Sequence, residues 1–318
     1  MSVMHAHEHQ PMSGEPLGGE TQDEGRSEAT AVRRHHGFPA RTFAIVRDYF
    51  ASRPLRYQAG LICLALCVIV LVMPSPYVVE SPGPTRDVLH PGEGGSAVIA
   101  ISGFAGGVHN DPGQLRLVTV NASGVPGYPA GTAQAMWGWL NTKQAVTPSE
   151  AVFPVGQDAD SYRKESQGEM TGSQDAASTA ALNYAQRLGV DVSGVKVSMH
   201  VDDIGGPSAG MMYSLGVIDK LTPQEETGGA SIAGTGTIDK KGKVGAIGGI
   251  RLKMIGARRD GATWFLAPAS NCDEVVGHVP KGLRDVRVST LDEAYRALVA
   301  IGQGNGEALP HCSVGSAK

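Results

Sequence analysis

Along most of the chain, apolar residues fall into short alternating or helical runs, but residues 59–73, AGLICLALCVIVLVM, are apolar without a polar stripe. PSPYVV extends this stretch to 21 residues before Glu80, close to the ~20 that cross a bilayer. The missing polar stripe argues against an amphipathic core helix. Downstream the runs shorten. SAVIAIS (96–102) and LRLVTV (115–120) read as strands, AQAMWGWL (133–140) as a short helix, and the Ala-rich residues 166–188 as a helix closed by Gly189. VKVSMHV (195–201) alternates with period two. After it, Pro207 suits the first turn of a helix carrying Met211, Met212, Leu215, Val217, Ile218 and Leu221. SIAGTGTI (231–238) and KVGAI (243–247) flank the turn DKKG as a hairpin. Residues 248–262 read as a helix, TWFLAPA (263–269) as a strand, and 292–302 as a helix ended by Gly302. This irregular alternation predicts an α+β fold rather than a repeating βαβ wheel.

The same pattern divides the chain into a disordered cytoplasmic tail (1–58), a transmembrane signal anchor (59–79), an extracytoplasmic region of mixed structure (80–190), a motif-rich domain (191–302) and a C-terminal tail (303–318). Residues 1–32 hold almost no large apolar side chains and cannot bury enough surface to order themselves. His5, His7 and His9 therefore have no fixed geometry for a metal. Arg33, Arg34, Arg41, Arg47, Arg53 and Arg56 precede the apolar run against one acid, Asp48, which puts the N-terminus in the cytoplasm and the bulk of the chain outside the cell membrane. A cleaved signal peptide fits less well, because its charged region would exceed fifty residues and no A-x-A site follows.

Composition narrows the function. Lys and Arg number 27 against 31 Asp and Glu, a net charge of −4 that offers no basic excess for nucleic acid. Forty-three Gly and 19 Pro call for many turns. Cys63 and Cys67 lie inside the apolar run, whereas Cys272 and Cys312 are the two beyond it; outside the cytosol these are expected to pair, with two free thiols as the alternative. Asn121 fits a glycosylation sequon, which carries no weight in a bacterial-looking secretory chain. His90, His109 and His200 join no His/Cys/acid grouping with metal spacing, so no cofactor is expected. The phosphate-loop pattern fails twice: five residues separate Gly236 from Gly242, and Val244 follows Lys243.

GGPSAG (205–210) carries the strongest candidate chemistry. Ser208 stands at a predicted helix start, where free backbone N–H groups and the positive helix end stabilise an oxyanion. A helix-start serine also serves as an N-cap, so this motif alone leaves both readings open. Lys253 lies on the margin of the apolar face formed by Ile250, Met254 and Ala257. Desolvation there favours the neutral amine, able to take a proton from a serine; snorkelling along the surface is the alternative.

GGPSAG, AGTGTIDKKGKVGAIGGIRLK (233–253) and ATWFLAPASN (262–271) resemble the proteolytic domain of Lon-type serine peptidases, whose fold is similar to the second domain of ribosomal protein S5. The resemblance implies Ser208 as nucleophile, Lys253 as its base and Thr235 as the residue orienting the lysine, with Gly206 and Pro207 shaping the turn. YVVESPGPT (77–85), GQLRLVTV (113–120), EAVFP (150–154) and GPSAGMMYSLGVIDKLTP (206–223) look like the membrane-anchored, extracytoplasmic Lon-like proteases usually described as PDZ-containing. The likeness covers nearly everything from 57 to 302. It implies an ATP-independent serine endopeptidase, anchored by one helix, acting on unfolded or flexible polypeptides without a cofactor. Ring-shaped homo-oligomers, hexamers among them, are a further family expectation. Two departures stand out: only VDVSG (190–194) joins the Ala-rich helix to the next strand, where such proteins hold a PDZ domain, and Gly205 replaces an acid found in many Lon enzymes. Two rival readings follow, a Lon-fold binding protein without activity, and an α/β-hydrolase using GPSAG as a nucleophile elbow with His278 or His311 as base. DDIGG, between Val201 and the motif, disfavours the elbow.

Overall fold

The computed structural model describes residues 47–49, 51–91, 97–154, 156–199 and 206–315. The tail with its three histidines, His200 and Gly205 lie outside the described residues. Helix α1 (Leu55–Val72) is the one helix among the described residues long and apolar enough to cross a membrane. It starts at Leu55 rather than at residue 59, and Arg47–Tyr49 is helical too, so the expected disorder does not reach 58. Pro54 explains the earlier start: its fixed φ suits a first turn, and its carbonyl accepts from the Tyr57 and Gln58 N–H groups.

Beyond α1 the core is a six-stranded mixed sheet in the order β10-β9-β6-β3-β1-β4. Its members are β1 (Tyr77–Asp87), β3 (Gln114–Ser123), β4 (Ala145–Pro148), β6 (Ser231–Gly234), β9 (Trp264–Pro268) and β10 (Arg284–Val288). Strands β3, β6, β9 and β10 are parallel, and β1 runs antiparallel between β3 and β4. The region 80–190 and the motif-rich domain thus share one sheet, with Leu117 opposite Gly234. Two-residue alternation sorts side chains onto the two faces. Leu115, Leu117, Ile232 and Leu266 pack with α3 (Ala159–Arg187), α4 (Gly210–Leu221) and α6 (Leu291–Gly302). Ala233, Phe265 and Ala267 pack with α5 (Ile250–Arg259) on the other. The result is an α/β/α sandwich with α4 buried along its whole length. A short helix α2 (Thr132–Leu140) lies beside β1 and β4.

Three elements differ from the pattern. Helix α3 begins at Ala159 instead of 166, because Asp158 caps it: its carboxylate accepts from the Ser161 N–H at 2.7 Å. The first turns are polar and give no periodic signal. The run 231–238 is not one hairpin arm. It leaves the main sheet after Gly234, and Thr237–Ile238 (β7) pairs separately with Val244–Gly245 (β8). Strand β5 (Lys196–Met199) pairs with β2 (Ile99–Ser102) outside the main sheet, with eight residues between it and the end of α3 at Arg187. Cys272 and Cys312 form a disulfide, tying the C-terminal segment beneath β9 and β10.

Candidate active site

Ser208 sits in the one-turn 3-10 segment Pro207–Ala209 that leads into α4. The entry requires glycine, since Gly206 has φ 88° and ψ 160°, a region closed to other L residues. Pro207 then fixes the next φ for the turn. Ser173 of α3 donates from Oγ to the Pro207 carbonyl at 3.0 Å. Gly210 allows close approach on the far side: a Cβ there would lie 2.9 Å from both Ile238 Cγ2 and Ser173 Oγ. The Ser208 side chain is half-buried, at the positive end of a long apolar helix.

The break after β6 serves this turn. Gly236 N–H donates to the Ser208 carbonyl at 2.8 Å, Thr235 Oγ1 donates to the same oxygen at 3.0 Å, and Met211 N–H returns to the Gly236 carbonyl at 3.0 Å. Residues that would have continued the strand instead hold the serine's main chain.

Lys253 reaches the same place from α5. Gly249, with φ 67°, starts that helix in a left-handed conformation, and a Cβ there would press on Val120 Cγ1 at 3.1 Å. Asn271 holds the preceding loop, accepting the Ile247 N–H at 3.0 Å and donating to its carbonyl at 2.9 Å. Lys253 is 3% exposed. Its Nζ donates to Thr235 Oγ1 at 3.4 Å, so the threonine hydroxyl touches the lysine amine and the serine's carbonyl at once. Burial pulls the Lys253 amine down from 10.5 to about 8, against an opposing pull from the nearby Glu80 carboxylate. Burial in turn raises Glu80, and Lys253 resists that rise. About a tenth of the lysine is then neutral at pH 7.

Ser208, Thr235, Lys253, Gly206 and Pro207 therefore gather at one point. Glu80 and Asn271 belong there too, although the sequence assigned them no role. Both stand in the Lon-like motifs YVVESPGPT and ATWFLAPASN, and that position is the signal the sequence carries for them. His278 is exposed, with its ring against the Val276 carbonyl at 3.0 Å. Among the described residues the strand nearest before the serine, β5, lies outside the main sheet, and a nucleophile elbow needs a central strand running into the serine.

A cleft of about 610 Å³ opens beside this point, lined by Glu80, Val120, Phe153, Tyr162, Glu169 and Gly206 among others. A second hollow of about 310 Å³ shares Val125, Phe153, Pro154 and Gln157 with it.

Residues 165–300 match the family model of the Lon protease (S16) C-terminal proteolytic domain. The chain is 37% identical over 128 residues to "Lon protease 2" of Herpetosiphon aurantiacus, covering 36% of this chain and 16% of that protein. It is 38% identical over 104 residues to "Lon protease" of Clostridioides difficile, covering 31% and 13%. It is 30% identical over 165 residues to "Lon protease" of Haemophilus influenzae, covering 49% and 20%. The chain thus spans between 13% and 20% of the length of these curated relatives.

Proposed function

We propose that this chain, which carries a Lon-type (S16) proteolytic domain over residues 165–300, is a serine endopeptidase in which Ser208 is the nucleophile and Lys253 its base. The observation that carries this reading is a lysine buried to 3% exposure and joined through one threonine hydroxyl to the backbone of Ser208. Neutral Lys253 takes the Ser208 proton as the oxygen attacks a peptide carbonyl, and the backbone N–H groups around Ser208, in the turn before α4, hold the oxyanion. The lysine then gives that proton to the leaving amine. The second half repeats the cycle with water, which loses a proton to Lys253 and splits the acyl-enzyme. Thr235 keeps the amine aimed, and Glu80 balances its charge whenever it is protonated.

Among the described residues the cleft lining includes Glu80, Glu165 and Glu169 and no Lys or Arg, which favours flexible polypeptides with basic side chains near the scissile bond. In this reading cleavage proceeds without ATP, and the substrates are chains already loosened.

We further infer a membrane anchor in α1, with the catalytic domain on the extracytoplasmic side. Support comes from α2 as well as from apolar length. Thr132 donates from both its N–H and Oγ1 to the Met73 carbonyl at 3.0 Å, and Ser75 N–H donates to Ala130 O at 2.8 Å. Helix α2 therefore starts beside the point where the chain leaves α1, and its Met136, Trp137, Trp139 and Leu140 are exposed. Tryptophan and leucine next to a membrane exit suit the headgroup layer.

The test is cleavage of casein by the full chain in detergent. Ser208→Ala and Lys253→Met should each abolish it, with Ser208→Ala keeping the wild-type melting curve. Retained cleavage in a folded Ser208→Ala variant refutes the assignment.

A further inference from the structure

At the far end of α4, about 16 Å along its axis from Ser208, three carboxylates meet in the interior. Asp111 precedes β3, Asp219 stands in the last turn of α4, and Glu226 lies in the loop that follows. All are 2–3% exposed. One oxygen of each lies within 4.8 Å of the others.

Their hydrogen bonds leave a specific remainder. Asp111 Oδ1 accepts from the Gly113 N–H at 2.8 Å and from Thr227 Oγ1, and its Oδ2 accepts from the Thr227 N–H at 2.8 Å. Glu226 Oε1 accepts from Thr222 Oγ1 and from the Tyr295 hydroxyl at 3.1 Å. Among the described residues, none donates to either oxygen of Asp219 or to Oε2 of Glu226. The adjacent Lys220 turns its ammonium to the Leu89 carbonyl at 2.6 Å, away from this task. Three buried carboxylates with three donorless oxygens are costly unless protonation or a cation neutralises them.

We propose that Asp111, Asp219 and Glu226 form a buried site for one divalent cation, calcium by its oxygen-only donors, which locks the C-terminal end of α4 to the 109–113 segment and the 222–228 loop. The spacing suits the ion: ligands 2.3–2.6 Å from calcium stand at most about 5 Å apart across it. The chemistry suits it too, since calcium takes carboxylate, hydroxyl and water oxygens in a flexible shell, whereas zinc seeks nitrogen or sulfur. Entry is short, because Asn110, Pro112 and Pro223–Glu225 beside the ligands are exposed. The cation would act on stability and not on the reaction, being a helix length from the serine.

The experiment uses the full chain in detergent, stripped with a chelator and titrated with calcium chloride by calorimetry and by thermal melting. Saturable binding of one ion, with a rise in melting temperature of roughly 5–10 °C at a hundredfold excess over Kd, is expected. Asp219→Asn and Glu226→Gln should each weaken binding at least tenfold and flatten the melting response. Two variants guard against one failing to fold. If the stripped protein binds neither calcium nor magnesium, or if both variants bind as the wild type does, the site is not a cation site. Because no substrate enters the measurement, its outcome is separate from that of the peptidase assignment.

Discussion

A buried base should be a burden on the fold. Lys253 titrates at about 8 in the folded protein against an ordinary 10.5, so below pH 8 the chain must desolvate a cation that the unfolded chain leaves in water. The difference corresponds to about 3 kcal/mol of destabilisation. The sign follows from proton binding. Between pH 8 and 10.5 the unfolded chain holds a proton that the folded chain has released, so stability rises with pH across that window. Lys253→Met keeps most of the side-chain volume and removes the charge, at the cost of one long hydrogen bond to Thr235 at 3.4 Å. The variant should therefore be more stable than the wild type by about 3 kcal/mol at pH 7, with the gain fading as pH approaches 10.5, while cleaving nothing. Urea denaturation of both proteins at pH 7, 9 and 10.5 measures this. A Lys253→Met protein that is less stable, by the same amount at every pH, would mean that the amine sits comfortably charged and is no general base.

Other outcomes follow from the same geometry. In wild-type protein kcat/KM for a flexible peptide should climb about tenfold per pH unit up to a plateau beginning near pH 8; an inflection near the histidine range instead would point to another base. Gly206→Ala forces a side chain into the φ 88°, ψ 160° conformation and should cost about 1–3 kcal/mol, with peptidase activity falling further than the melting temperature. Reducing Cys272–Cys312, which are 40 residues apart, should lower stability by about 4 kcal/mol in the chain-entropy account, read as a shift of the denaturation midpoint on adding dithiothreitol. Glu165→Lys with Glu169→Lys should raise KM for arginine-containing peptides and spare uncharged ones, since both carboxylates line the cleft.

Local chemistry was legible in the sequence where one element carries it. Pro207 followed by apolar residues gave α4, Gly189 marked the end of α3, and apolar 263–269 gave β9. Thr235–Gly236 was not legible as a break, because the residues remain apolar or small throughout 231–238 and their backbone partners, Ser208 and Met211, are far away in the chain. Glu80 met the same obstacle: nothing near residue 80 reveals that a lysine on α5 faces it. The acid triad is the extreme case, since Thr227 and Asp111 are bonded across 116 positions and each carboxylate alone reads as an ordinary polar residue. Periodicity reports what an element buries, not which element it meets.

The doubled grip on the Ser208 carbonyl has a practical corollary for anyone altering chain length. Residues 208 and 236 are fastened together, so everything threaded between them forms a closed ring of main chain. Extra residues spliced into that ring have to bulge outward at its exposed bend, Pro223–Glu225, and leave the nucleophile where it was. The same splice placed between Gly236 and Lys253 has an outlet at the exposed DKKG turn, whereas in the loop 246–249, which leads into the helix of Lys253 and is pinned by Asn271, it would carry the amine off target.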